Sequence, residues 1–195
     1  MATCPSYYCG SEWETFGGAE ACDAIHNGGA DLMILFRCGI TAKDFTEDAD
    51  PETIDAVKLM ALVDADDAQI ISGLQVSLDA PSAITQDVFN PCEPDRTVNY
   101  DHTMNIIDRN VNEPRRTAWN SVSSTSGFVN GGALIHECGD ERWTYIDTNI
   151  VITVGRILPP KGTDVQRFEN SATWRNKNIP KIFEGNQPTV ADITA

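Results

Sequence analysis

The sequence predicts a mainly β protein, an antiparallel β-sandwich or barrel with one short flanking helix at about 51–62 and a long hairpin at about 142–176. Three observations predict it. Between Trp143 and Val154 almost every residue is β-branched, aromatic or otherwise suited to a strand. From Phe168 to Arg175, Phe168, Asn170, Ala172 and Trp174 alternate with Glu169, Ser171, Thr173 and Arg175, the period of a strand with two unlike faces. From Thr97 to Ile107 the same period returns, with Val98, Tyr100, His102, Met104 and Ile106 on one side.

Taken in order, residues 1–30 are rich in Gly, Ser, Cys and aromatic side chains and read as an extended N-terminal arm, with Trp13 and Phe16 available to pin it to the body or to a neighbouring subunit. Asp31–Cys38 is continuously apolar at its centre, which predicts a strand buried on both faces. Asp50-Pro51-Glu52 reads as a helix start, because aspartate caps free N–H groups, proline suits the first helical position and glutamate favours the positive end. That helix is expected to bury Ile54, Val57 and Ala61. Gln69–Asp79 reads as a strand bulged at its glycine. Asn112 to Val122 reads as a short helix opened by Pro114, and Phe128–Cys138 as a strand in which Gly131-Gly132 marks a bulge or a close backbone approach. Asp147-Thr148-Asn149 is a break at which the next strand bends, and the Pro159-Pro160 loop cannot continue a ladder. Residues 31–182 form one domain, and 183–195 read as a C-terminal tail.

The chain has 195 residues, 41% hydrophobic and 22% charged, enough for one globular core. No apolar run approaches the ~20 residues of a membrane helix. The first residues lack the basic-then-apolar order of a secretory signal, so synthesis and assembly in the cytoplasm are expected. Net charge is −15 and uneven, with 4 Lys/Arg against 18 Asp/Glu in residues 1–100 and 10 against 11 thereafter. Such a chain repels a phosphate backbone, which excludes a sequence-reading nucleic-acid protein.

No catalytic, cofactor or metal residue is assigned. None of His26, His102 and His136 sits in a catalytic motif, and no carboxylate pair stands out. His102 reads as a satisfied core or interface histidine. The aspartates at 64, 66 and 67 resemble a calcium loop superficially, but Gln69 stands where such a loop needs glycine and Gln75 where it needs glutamate. Cys4, Cys9, Cys22, Cys38, Cys92 and Cys138 include no tight C-x2-C pair, so reduced thiols are expected rather than zinc ligands. Arg115-Arg116 is too small for a nucleic-acid patch and reads as ion-paired to an acidic neighbour.

The order of these features resembles virion structural proteins of tailed bacteriophages, in particular tail-tube-like proteins. The resemblance spans about residues 30–182. It is carried by one short capped helix, the strand ending Asn105-Ile106-Ile107-Asp108, the Trp119-Asn120 segment, Ile157-Leu158-Pro159-Pro160 and the strand Ser171-Ala172-Thr173-Trp174-Arg175. The arm at 1–30 has no counterpart in it. The resemblance implies a non-enzymatic virion protein that forms homo-oligomeric rings, commonly of six, stacked into a tube through which DNA passes without adhering. It also implies contacts with other virion proteins, and no membrane or cofactor. The implied inter-subunit contacts are Trp13, Phe16, Arg115, Arg116, Arg142, Arg156, Arg167 and Arg175, with the hairpin, arm and tail. A capsid decoration or head-fibre protein, and a carbohydrate-binding β-sandwich stacking sugars on Trp13, Trp119, Trp143 or Trp174, are the alternatives.

Overall fold

The computed structural model describes residues 30–86, 96–123, 131–137, 142–157, 167–184 and 187–194; Trp13 and Phe16 lie outside them. The described residues are mainly β. Their strands are β1 (Ala30–Phe36), β2 (Ala68–Leu78), β3 (Ser82–Gln86), β4 (Arg96–Asp108), β5 (Gly132–Glu137), β6 (Arg142–Ile146), β7 (Val151–Thr153), β8 (Arg156–Ile157), β9 (Arg167–Asn176) and β10 (Lys181–Phe183). The helices are α1 (Ala56–Asp64), α2 (Glu113–Ser121) and α3 (Val190–Thr194). All strands join one antiparallel sheet in the order β10-β6-β5-β1-β2-β4-β9-β7, with β3 following β2 along β4 and β8 following β7 along β9.

The sheet is rolled. Ile146 of β6 and Trp174 of β9 belong to one apolar cluster and line one cavity of about 150 Å³, although their strands share no ladder. Two short links, residues 147–150 and 177–180, carry the chain between the two ends of the sheet. The inner cluster gathers Met33, Leu35, Ile71, Met104, Ile106, Ile135, Ile152, Phe168 and Trp174; α2 adds Ala118 and Trp119, and Val122, which caps it, joins them. A second cluster lies on the outer face of β1, β5, β6 and β10. There Leu32, Ile34, Phe36, Leu134, Trp143, Tyr145 and Phe183 meet Phe45, Ile54, Leu59 of α1 and Ile193 of α3. Phe36 and Phe45 stack at 5.1 Å, and Tyr145 meets Phe45 edge-on at 5.0 Å. Leu32 to Phe36 are therefore fully buried from both sides, as their unbroken apolar run predicts.

The hairpin expected at 142–176 is shorter: β7 and β8 pair antiparallel with β9, from Val151 opposite Thr173 to Ile157 opposite Arg167, but β6 does not belong to it. β6 pairs with β5 and β10, whereas β9 pairs with β4, β7 and β8, so this stretch is split between the two ends of the sheet. The break at Asp147-Thr148-Asn149 is where the chain leaves one end for the other. Period-two alternation specifies which face of a strand is buried, and says nothing of which strand lies beside it.

The flanking helix starts later than its first capping signal. Asp50 accepts from Glu52 N and the Thr53 hydroxyl in a local turn, and Ile54 bridges to Thr46 in extended conformation. The cap is Asp55, whose carboxylate accepts from the N–H groups of Val57 and Lys58. Val57, expected inside, is 79% exposed. The helix opened near Pro114 forms as read, with Asn112 accepting from Arg115 N at 2.8 Å.

Residues 183–195 are not a loose tail where they are described. Phe183 closes β10, and Ile193 is fully buried. Gln187 accepts from Ile54 N at 2.9 Å and donates to the carbonyls of Glu52 and Glu184, while Trp143 Nε1 donates to Pro188 O at 3.2 Å. These bonds strap the chain end across β6 and the approach to α1.

β2 bulges at Gly73. Residues 68–72 and Val76 pair with β1 and residues 74–78 pair with β4, and Gly73 has φ +70, a conformation that suits a residue without Cβ. Gly131 answers a different need, since a Cβ there would collide with the Arg37 carbonyl.

Candidate functional site

Each expected contact arginine whose side chain is described already has a partner within the subunit. Arg115 is the clearest correction: it is 1% exposed and belongs to the interior, not to an interface. Its Nε donates to Asp108 Oδ2 at 2.7 Å and its guanidinium also donates to Ser72 O at 2.6 Å, the carbonyl just before the Gly73 bend. Trp119 Nε1 donates to the same Asp108 oxygen at 2.7 Å, and Asn110 N donates to the other. The buried carboxylate thus ties β4 to α2, and the guanidinium ties α2 to the corner of β2.

The other arginines form surface pairs. Arg116 bonds Glu113 one turn away, and Arg175 bonds Asp101 on the adjacent strand at 2.8 Å. In both, the hydrogen-bonded carboxylate raises the guanidinium pKa further above its ordinary value. Arg167 meets Glu169, and Arg142 lies between Glu137 at 3.3 Å and Glu184 at 3.9 Å. Arg156 is placed in β8 opposite Phe168. The expected ion pair to an acidic neighbour holds for both Arg115 and Arg116, inside one subunit.

Charge is concentrated elsewhere. Residues 42–67, which include α1, carry nine carboxylates against two lysines, a net charge of −7. Lys58 answers part of this, donating to Asp48 at 2.7 Å and to Thr46 O, and its pKa is raised chiefly by the Asp48 hydrogen bond. Buried Tyr145 sits just beneath this layer, where loss of water and then the nearby Asp147 push its phenol far above the ordinary tyrosine value.

On the opposite half of the sheet the outward residues of β4, β9 and β7 form cross-strand rows. Thr103, Thr173 and Val151 make one row, Asn105, Ser171 and Thr153 the next, and Asp101 pairs with Arg175 at one end. No described helix packs there. Near β7 this surface dips into a cleft of about 500 Å³ lined by Asp101, Thr103, Asn149, Val151, Thr173 and Arg175, with His102 and Trp174 at its base. His102 is a buried core residue, stacked on Trp174 at 5.1 Å. Among the described residues nothing pairs with the outer sides of the two end strands, β10 and β7, and each carries an exposed aliphatic side chain: Ile182 is 46% exposed and Val151 38%.

Sequence reading placed these polar alternates on the solvent side of each strand. It missed that β4 and β9 are neighbours, which merges two stripes into one surface. The signal available was the matching phase of their alternation. Trp119, Trp143 and Trp174 are buried, so none offers an open ring for stacking a sugar. Of the six cysteines only Cys38 lies among the described residues, where it is half-buried. Among those residues no group of three or more His, Cys, Asp or Glu side chains is placed to hold a metal ion. No helix among them is long and apolar enough to cross a membrane.

The class that fold and surface define is a mainly antiparallel β domain with one polar sheet face and one acidic helical face. Comparison with protein-family models and with curated proteins finds no match for this chain.

Proposed function

We propose that this chain is a structural subunit of a tailed-bacteriophage virion that assembles with copies of itself into rings, of six subunits, stacked as a tail tube. Its partners are its own copies and other virion proteins, and DNA passes through the tube as non-adhering cargo. The observation that carries this reading is the rolled sheet whose end strands β10 and β7, each short and each bearing an exposed aliphatic residue, have no further partner among the described residues. Unpaired edges are an aggregation hazard in a monomer and a means of association in a closed ring. The −7 charge of residues 42–67 supports the second part, since such a surface does not hold a phosphate backbone.

Negative-stain electron microscopy of the purified protein, with light scattering for its mass, tests the reading. Rings or hollow tubes are expected. A stable monomer at every concentration overturns it, and a compact trimer replaces it with a decoration protein on the outside of a capsid.

A further inference from the structure

We infer that the bare outer face of β4, β9 and β7 is the surface on which a second copy of this chain docks; this rests on the self-assembly reading above. The first reason is electrostatic. A chain of net charge −15 repels its copies, and close approach is cheapest where charge is locally compensated. On this face Asp101 pairs with Arg175 and Glu169 with Arg167, so its two carboxylates meet two guanidinium groups. Asp79 at its border accepts from the Asn105 amide at 3.0 Å. Residues 42–67, at −7, are the least suitable contact.

The second reason is extent. β4 and β9 pair without interruption from Tyr100–Asp108 to Phe168–Asn176. At ordinary strand spacings a nine-residue ladder is about 30 Å long, and the three strand positions from β4 to β7 are about 14 Å across, roughly 420 Å² in plan. A stable protein contact takes about 800 Å² of accessible surface from each partner, so this face supplies the central part of such a contact.

The test places one new carboxylate on each side of the molecule in the full-length protein: Thr173→Glu or Ser171→Glu on the β9 part of the outer face, and Val57→Glu on exposed α1. Circular dichroism and the thermal midpoint establish folding, and light scattering across a dilution series gives the concentration at half-assembly. Thr173→Glu is expected to raise that concentration by about tenfold or more, and Val57→Glu to leave it unchanged. Ser171→Glu carries the same expectation and serves if Thr173→Glu does not fold. Equal assembly of all variants overturns the inference and leaves the self-assembly reading standing, as does disruption by Val57→Glu alone. A wild-type protein that stays monomeric overturns both.

Discussion

Arg115 and Asp108 form a salt bridge of 2.7 Å in which both side chains are withdrawn from solvent, at 1% and 0% exposure. The pair lies where three parts of the chain meet: the end of β4, the first turn of α2 and the corner of β2 at Ser72. A guanidinium suits this place because its several N–H donors can serve a carboxylate and a carbonyl at once.

Replacing Arg115 alone strands a buried carboxylate. Arg115→Met is expected to cost about 3–5 kcal/mol, read as a shift in the urea midpoint. The double variant Asp108→Leu, Arg115→Met should recover a substantial part of that loss, because removing both charges leaves none unpaired. Equal instability of the single and double variants would locate the cost in packing.

Trp119 contributes its ring and its N–H separately. Trp119→Phe keeps an aromatic ring beside Ala118 and Val122 but removes one donor to Asp108, for an expected loss of about 1–3 kcal/mol. Trp119→Ala also opens a cavity and should cost about 3–5 kcal/mol. Denaturant unfolding distinguishes the two.

Gln187 anchors the chain end through three hydrogen bonds to backbone groups. Gln187→Ala leaves Ile54 N and Glu52 O without that amide, and a loss of about 1–3 kcal/mol is expected. Amide exchange should accelerate in residues 187–194 and at the start of α1, with β4 and β9 unchanged.

The carboxylate of Asp192 is held below its ordinary value by the Thr189 hydroxyl and then by the Thr189 N–H. Its folded pKa is thus lower than its unfolded one. The stabilisation it lends α3 is complete above the ordinary value of 3.8 and is lost as pH falls through the lower folded value. Exchange in α3 should therefore rise only in that acid range, whereas Thr189→Ala should raise it at neutral pH.

Tyr145 carries the opposite sign of shift. Burial disfavours its phenolate, so its pKa is raised and its contribution to stability is present below the ordinary tyrosine range and lost as pH climbs past it. Absorbance titration of the native protein should show a tyrosine that ionises only when the fold opens.

Local pattern revealed faces, and distance along the chain concealed neighbours. The inward row Phe168, Asn170, Ala172 and Trp174 was legible because alternation is encoded within the strand itself. The bulge at Gly73 was legible for the same kind of reason. The placement of β6 away from β9 was not, because it depends on β5 and β10 competing successfully for β6. The start of α1 was misplaced by five residues because two aspartates offer the same capping chemistry, and the Thr46 bridge to Ile54 decides between them. The bare face needed the pairing of β4 with β9, and the fate of Arg115 needed Asp108, whose burial its own strand pattern places but whose partner it does not name.

The position of β1 between β2 and β5 sets an order of events for a growing chain. β2 is the next strand after β1, but β5 begins only at Gly132, so β1 lacks its second described neighbour until the chain has been made past that point. Its second neighbour arrives late, and β6 and β10 later still. Until then a nascent chain displays Leu32 to Phe36 without that neighbour, a state prone to wrong pairing. These pairings join distant parts of the chain, so folding should be slow and governed by the later strands rather than by the helices.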